Sequence, residues 1–252
     1  MNSRERAPAS EPSSIVFGSL VHPHWPERVA WRPGAPMTKT VVVITGASPL
    51  TARAVAAIPA AATLVAADGG LDHALAAGLS PSVLVGDLDS VTAASLAWAS
   101  EHTTVVRHPV NKDATDTELA IAHAAALGPD EILLVAGHGD RLDHAVAALG
   151  ALGAPELAGI ARLAAWWGDD ELRIVHGPGS CPLDHAAGTT FSVLAMHGLC
   201  TGVTVTGARW PLTDHDLGPL VGLGVSNQVL DPPVTVAVAT GILTVAIPGA
   251  QP

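Results

Sequence analysis

Short apolar runs alternate with helix-like segments between residues 39 and 152. The runs are rich in branched residues and carry few charges, a pattern typical of strands buried on both faces of a sheet. We predict strands over residues 39–45, 63–67, 83–85, 105–107 and 132–136. We predict helices over residues 50–57, 71–77, 92–100, 117–127 and 144–152, with Asp116 as the N-cap of the fourth. This alternation indicates a doubly wound, mostly parallel α/β fold.

The pattern changes beyond Gly168. Alternating branched residues are separated there by Gly, Pro and Asp, as in antiparallel strands joined by short turns. We predict strands over residues 172–176, 190–196, 203–206, 222–228, 234–239 and 242–247. The sequence therefore predicts an α/β domain over residues 38–168 and an antiparallel β-sandwich over residues 169–252.

Residues 1–37 have a different composition from the rest of the chain. They are rich in Pro, Ser, Arg and Glu and show no helix or strand period. We expect them to be a disordered extension, or sequence upstream of a true start at Met37. Their apolar stretch at 15–21 is too short and too interrupted for a signal peptide.

Charge and cysteine content exclude several classes of partner. The formal net charge of −11 would repel nucleic acid and anionic membranes, so a phosphate substrate would need a bridging divalent cation. Cys181 and Cys200 show no metal-ligand spacing, so neither a disulfide framework nor a structural zinc is indicated. No apolar stretch approaches the ~18 residues of a membrane span. We expect a cytoplasmic protein.

Four motifs place acidic side chains directly after predicted strands. They are Ala-Asp-Gly-Gly at 67–70, Gly-Asp-Leu-Asp-Ser at 86–90, Asn-Lys-Asp-Ala-Thr-Asp at 111–116 and Arg-Leu-Asp-His at 141–144. Parallel strands end at one edge of a sheet, so these carboxylates should converge there. A single Asp-X-Asp could simply cap a helix. Four clusters with nearby Lys and Arg favour a site for a metal ion and phosphates instead.

These motifs, followed by Trp-Pro-Leu at 210–212 and Gly-Val-Ser-Asn at 224–227, resemble the thiamine pyrophosphokinase (thiamine diphosphokinase) family. The resemblance extends from about residue 41 to residue 247. It implies a nucleotide-binding α/β domain, a thiamine-binding sandwich and a homodimer with active sites shared between subunits. The implied reaction transfers a pyrophosphoryl group from ATP to the hydroxyl of thiamine, giving thiamine pyrophosphate and AMP.

The resemblance also implies roles for individual residues. The expected magnesium ligands are Asp87, Asp89 and Asp116, which with Arg141 form the predicted catalytic set. The expected ATP-binding residues are Asp68, Lys112, Asp113, Thr115, Arg141 and Asp143. The expected thiamine-binding residues are Trp210, Ser226 and Asn227, through aromatic stacking and hydrogen bonds to the rings. Trp98, Trp166 and Trp167 are interpreted as packing residues.

Two residues differ from the usual family pattern, and two other functions are compatible with the motifs. Asn111 stands where the family usually has an acid, and Asp140 stands where a glycine usually precedes the arginine, which would lower nucleotide affinity. A haloacid dehalogenase-like phosphatase would use Asp87 as a nucleophile and Asp89 as acid and base. A catalytically inactive thiamine or nucleotide sensor is the other alternative.

Overall fold

The structure is a computed structural model that describes residues 39–139 and 141–249. The predicted extension over residues 1–37 and the departure at Asp140 lie outside the described residues. The strands of the first half are β1 (Thr40–Ile44), β2 (Thr63–Ala67), β3 (Val83–Gly86), β4 (Thr104–Arg107), β5 (Glu131–Ala136) and β6 (Arg162–Trp167). The helices are α1 (Ala52–Ala56), α2 (Gly70–Ala76), α3 (Ala93–His102), α4 (Asp116–Ala126) and α5 (Leu142–Leu152).

The second half is built almost entirely from strands. These are β7 (Asp170–His176), β8 (Gly179–Leu183), β9 (Thr190–Leu194), β10 (Cys200–Thr206), β11 (Leu212–Leu217), β12 (Asn227–Gln228), β13 (Val234–Val238) and β14 (Ile242–Ile247). Short 3-10 turns occur at Pro155–Leu157 and Gly222–Gly224.

The parallel strands lie in the order β6-β5-β1-β2-β3-β4. Residues of α4 and α5 share a core with Val41 and Val43 of β1. Residues of α1 and α2 pack with Val42 and Ile44 on the opposite face of the same strand. The chain order reverses between β1 and β5, so the fold has a topological switch point there. The predicted doubly wound α/β fold is confirmed.

The same sheet continues into the second half. A turn at residues 168–169 joins β6 to β7, which pair antiparallel, and the sheet extends through β14, β9 and β12. A second sheet, in the order β11-β10-β13-β8, covers one face of this extension. Both sheets contribute to one core that includes Val193 of β9 and Val236 of β13. The predicted C-terminal sandwich is confirmed, and one of its sheets is continuous with the parallel sheet.

Several sequence-based element predictions were wrong. The strand predicted over residues 222–228 is a 3-10 turn followed by the two-residue β12, because glycines interrupt the apolar run. Strand β11 was missed since its sequence, Leu-Thr-Asp-His-Asp-Leu, is largely polar and exposed. Strand β8 was missed because it contains a glycine and a proline, which are uncommon in strands. Strand β6 was also not predicted.

The N-cap of α4 is Thr115, and the prediction of Asp116 was wrong. Thr115 accepts a hydrogen bond at Oγ1 from the Glu118 N–H at 3.2 Å, and its own N–H donates to Glu118 Oε2 at 2.6 Å. This capping box satisfies two backbone donors and places Asp116 in the first turn of the helix.

Among the described residues no helix is long and apolar enough to cross a membrane. Both cysteines are free and buried.

Candidate active site

Three carboxylates converge where β2 and β3 end. Asp68, Asp87 and Asp89 each offer an oxygen within 4.8 Å of the other two. Asp68 and Asp87 are each only 8% exposed, whereas Asp89 is open to solvent. The structure therefore brings together the two predicted Asp residues of the 86–90 motif, and adds Asp68 to them.

The backbone bends sharply at this edge of the sheet. Asp68 and Leu88 have φ values of 46° and 71°, in the left-handed region that few non-glycine residues adopt. The Leu88 side chain packs against the apolar cluster that includes Leu71 and Leu84, which offsets the cost of its backbone conformation. The Asp89 N–H donates to Asp87 Oδ1 at 3.3 Å. Leu88 thus holds the turn from which both motif carboxylates project.

Asp116 reaches the same edge from α4. A Cβ at Gly86 would lie 3.1 Å from the Asp116 Oδ1 and 3.1 Å from the Asp68 Cβ, so a larger residue there would force one of these side chains to shift. The Lys112 Nζ lies 2.6 Å from Asp87 Oδ2 and 3.0 Å from Asp116 Oδ1. The hydrogen bond from Lys112 lowers the pKa of Asp87 despite burial. The ammonium partly neutralises the acidic cluster and joins Asp116 to it.

Asp68, like Asp87, is a buried member of the cluster. Its Oδ2 accepts a hydrogen bond from the Ser90 hydroxyl, and its Oδ1 is buried without a hydrogen-bond partner among the described residues. Burial raises the pKa of Asp68, and the charges of Asp116 and Asp89 raise it further, against the effect of Ser90. A buried oxygen without a partner and three converging carboxylates fit a hard divalent cation, which prefers oxygen ligands.

A cavity of about 410 Å³ opens beside the acidic cluster. It lies beyond the ends of β1, β2 and β5, at the switch point where ligands of open parallel sheets bind. Its lining includes five of the predicted site residues: Asp68, Lys112, Thr115, Asp116 and Arg141. Gly70 permits the close packing of α2 on β1, since a Cβ there would lie 2.2 Å from the Ile44 carbonyl oxygen.

Sequence analysis gave no role to three residues that line this cavity, Ser90, His144 and Trp167. Ser90 belongs to the 86–90 motif, but nothing in the motif itself indicates that its hydroxyl pairs with Asp68. Trp167 was interpreted as a packing residue because it belongs to none of the motifs, and β6, at whose end it lies, was not predicted. The end of a strand next to β5 would have been the signal for Trp167.

The other two predicted nucleotide-binding residues, Asp113 and Asp143, are not among those that line the cavity. Arg141 and Asp143 form a bidentate ion pair, with an Arg141 Nε–Asp143 Oδ1 distance of 2.9 Å and an Arg141 Nη2–Asp143 Oδ2 distance of 2.7 Å. This pair holds the pKa of Asp143 well below its usual range. Arg141 lines the cavity, whereas Asp113 is exposed in the loop before α4.

The three predicted thiamine residues lie together in the sandwich. Trp210 is 54% exposed, and its backbone is hydrogen-bonded to the side chain of Asn227. Ser226 is exposed with φ 60°, and its N–H donates to Ser192 Oγ at 3.1 Å. None of these three residues is among those that line the cavity of the same chain. The structure thus separates two groups that the sequence assigned to one site.

Comparisons with known proteins agree with these features. The model of the thiamin pyrophosphokinase catalytic domain matches residues 56–159, and the model of the thiamin pyrophosphokinase vitamin B1 binding domain matches residues 180–243. Among curated proteins no sequence matches significantly.

Solved structures share the fold. The thiamine pyrophosphokinase of Bacillus subtilis has a TM-score of 0.72 at 22% identity, covering 84% of this chain and 100% of that one. A thiamin pyrophosphokinase family protein of Enterococcus faecalis has a TM-score of 0.70 at 23% identity, covering 85% and 100%. The thiamin pyrophosphokinase of Candida albicans has a TM-score of 0.68 at 13% identity, covering 83% and 88%.

The two domain models together span more than half of the chain, in the order of its α/β and sandwich parts. They match the segments that carry the acidic cluster and the loop over residues 207–211, between β10 and β11, which we call the Trp210 loop. The chain therefore belongs to the thiamin pyrophosphokinase family of enzymes.

Proposed function

We propose that this protein transfers a pyrophosphoryl group from ATP to thiamine and releases AMP. The observation that carries the proposal is the convergence of Asp68, Asp87 and Asp89 beside a cavity at the switch point. The family match supports pyrophosphorylation of thiamine. ATP as the donor and AMP as the product are the finer parts of the proposal.

The proposed step is an in-line displacement at the β-phosphorus of ATP. The thiamine hydroxyl oxygen forms a bond to that phosphorus while the bond to the oxygen bridging the α- and β-phosphates breaks. AMP leaves with the bridging oxygen, and the hydroxyl proton passes to a nearby carboxylate or to solvent. Positioning and charge stabilisation account for most of the catalysis in such transfers.

We propose that Asp87, Asp89 and Asp116 hold Mg²⁺, with Asp68 beside them. Bound Mg²⁺ would neutralise phosphate charge and align the reacting oxygens. Lys112 is well placed to contact phosphate, because its ammonium already lies between Asp87 and Asp116. Arg141 can neutralise charge on the transferring group. Thr115 would line the nucleotide pocket, and Asp113 and Asp143 would complete its outer part.

On the thiamine side, Trp210 offers an exposed aromatic face and Ser226 an exposed hydroxyl. Asn227 is 6% exposed, and its amide is already engaged by neighbouring backbone groups. We therefore propose that Asn227 acts on thiamine through the Trp210 loop.

Because the Trp210 loop does not line the cavity of its own chain, we propose a homodimer in which the loop of one subunit faces the cavity of the other. A cytoplasmic location remains part of the proposal.

The direct test is product analysis. Purified full-length protein is incubated with ATP, Mg²⁺ and thiamine, and the nucleotides and thiamine esters are separated. AMP and thiamine pyrophosphate in equal amounts are expected. ADP with thiamine monophosphate, or inorganic phosphate alone, would overturn the proposal.

The same assay separates the alternatives. A haloacid dehalogenase-like phosphatase would release inorganic phosphate through an aspartyl-phosphate at Asp87. An inactive sensor would bind thiamine or ATP in calorimetry without forming either product. The match of both thiamin pyrophosphokinase domain models favours the kinase over the phosphatase.

A further inference from the structure

We propose that Arg209, Asn227 and Gln228 are positioning residues that fix the ring of Trp210 in the orientation that receives thiamine. The inference rests on the proposed function and deepens it. It assigns roles to Arg209 and Gln228, and it specifies how Asn227, proposed above to act through the Trp210 loop, supports the Trp210 backbone.

Asn227 fixes the main chain at Trp210. Its Oδ1 accepts from the Trp210 N–H at 3.1 Å and from the Gln228 N–H at 2.8 Å, while its Nδ2 donates to the Trp210 carbonyl at 2.7 Å. Three hydrogen bonds from one buried amide leave it little capacity for a ligand. The neighbouring backbone supports the same geometry, since the Arg209 N–H donates to the Gln228 carbonyl at 2.9 Å.

Arg209 and Gln228 act on the side chain of Trp210. The Arg209 guanidinium carbon lies 4.9 Å from the centre of the Trp210 ring, within the range of a cation–π contact. Gln228 Oε1 accepts from Arg209 Nη1 at 2.9 Å, which holds the guanidinium over the ring. The chain of contacts therefore runs from β12 through Arg209 to Trp210.

This arrangement has a consequence for binding. An exposed tryptophan that rotates freely loses side-chain entropy when a ligand stacks on it, and a ring that is already held loses less. Arg209 covers one face of the ring, so a ligand has the opposite face for stacking. Removing Arg209 should weaken thiamine binding more than ATP binding, because Arg209 contacts the ring on which thiamine would stack.

The test combines ring mobility with ligand affinity. Full-length protein is labelled with 5-fluorotryptophan, the Trp210 resonance is assigned by its loss in Trp210→Phe, and thiamine and MgATP affinities are measured by calorimetry. Arg209→Ala should change the shift and width of the Trp210 resonance and raise the thiamine Kd about two- to fivefold, the factor expected for an exposed cation–π contact. The ATP Kd should change by a smaller factor than the thiamine Kd.

Conservative variants separate positioning from general surface effects. Arg209→Lys keeps the charge, and with it part of the cation–π attraction, but loses the planar group, so its effects should lie between those of wild type and Arg209→Ala. Gln228→Ala should show a smaller effect, and Gln228→Glu should restore wild-type values because an acceptor oxygen remains. Thr213→Ala, at an exposed position of β11, is the matched control. An Arg209→Ala resonance and thiamine Kd equal to those of Thr213→Ala would overturn the inference.

Failure of the proposed function would be distinguishable. If the wild-type protein bound ATP but no thiamine, the function would be wrong, and the thiamine-orienting role with it. The fluorine resonance would then decide whether the three residues hold the ring at all.

Discussion

Three non-glycine residues with left-handed backbones lie inside the motifs that identify the family. Asp68, Leu88 and Ser226 have φ values of 46°, 71° and 60°, and each such residue costs on the order of 1 to 3 kcal/mol. Leu88 is compensated by burial against the α2–α3 core. At the residue scale, these motifs therefore specify backbone geometry as well as chemistry.

The first prediction concerns the metal-binding role of Asp87. If Asp87 holds Mg²⁺ as proposed, Asp87→Asn removes one anionic ligand and the charge opposite Lys112, so the rate should fall by about 10²-fold or more. Steady-state kinetics with MgATP and thiamine measures the loss. Thermal melting of the variant, compared with the exposed-site control Asp231→Asn, shows whether the fold survives. Near-normal activity would assign Asp87 to the capping of the turn instead.

The second prediction concerns substrate selectivity at Trp210. Trp210→Ala should raise the thiamine KM far more than the ATP KM, because stacking of a base on an aromatic ring is worth about 1 to 3 kcal/mol. Kinetics with each substrate varied in turn provides the comparison. Trp98→Ala, which removes a ring stacked on His102 in α3, is a control that should affect stability rather than either KM. Equal changes in both KM values at Trp210 would contradict a thiamine role.

At the scale of elements, Asp72 joins the helices on one side of the sheet. This α2 carboxylate accepts hydrogen bonds from the Thr92 N–H at 3.1 Å, from the Thr92 hydroxyl and from Ser95 Oγ at 2.5 Å. Burial raises the pKa of Asp72, but the hydrogen bonds from Ser95 and Thr92 outweigh it, so the pKa lies below the ordinary value of 3.8. The start of α3 is thereby fixed to α2.

The third prediction follows from the lowered pKa of Asp72. A lowered pKa in the folded state contributes stability above pH 3.8 that is lost as the pH falls through the folded-state pKa. Asp72→Asn should therefore lower the free energy of unfolding by about 1 kcal/mol at neutral pH. Urea denaturation at a series of pH values should show the difference shrinking below pH 3.8. A difference that stayed constant with pH would contradict the ionised role of Asp72.

The elements that were best predicted from sequence are the parallel strands, four of which are largely buried, whereas β4 is a mostly exposed edge strand. The five predicted parallel strands form continuous apolar runs, and each is present within one residue of its predicted bounds. Strand β11 could not be predicted because its ladder partners, rather than its own polar residues, keep it in the sheet. The 222–228 segment failed for the opposite reason, since its apolar side chains at Leu223 and Val225 remain exposed.

At the scale of the whole molecule, the sequence indicated the edge at which the acidic motifs meet but not their detailed contacts. Parallel topology brings Asp68, Asp87 and Asp116 together, because strand ends share one edge. The choice of Lys112 as the partner of two carboxylates depends on the loop before α4, which periodicity does not describe. The use of the Asn227 amide by the Trp210 backbone likewise depends on a contact between segments 17 residues apart.

The fourth prediction concerns assembly. If each active site combines the cavity of one subunit with the Trp210 loop of the other, mixing two inactive variants should restore activity. Asp87→Asn and the double variant Trp210→Ala/Ser226→Ala are mixed under conditions of subunit exchange. The thiamine concentration is one at which neither homodimer shows activity. Half the dimers would carry one intact site of two, so activity should approach about a quarter of wild type.

Tagged subunits pulled down together provide the control for exchange. Exchange without any recovery of activity would mean that each chain builds its own site. Recovery in the absence of exchange would point to contaminating wild-type enzyme.

The β6–β7 hairpin pairs the edge strand of each half of the protein with a strand of the other half. Cutting the chain at residues 168–169 would leave β6 as an unpaired sheet edge of six residues, Arg-Leu-Ala-Ala-Trp-Trp. Long, apolar edges of this kind template pairing with other chains. We therefore expect a catalytic half produced alone to aggregate edge to edge, so that pairing with β7 also protects β6 from aggregation.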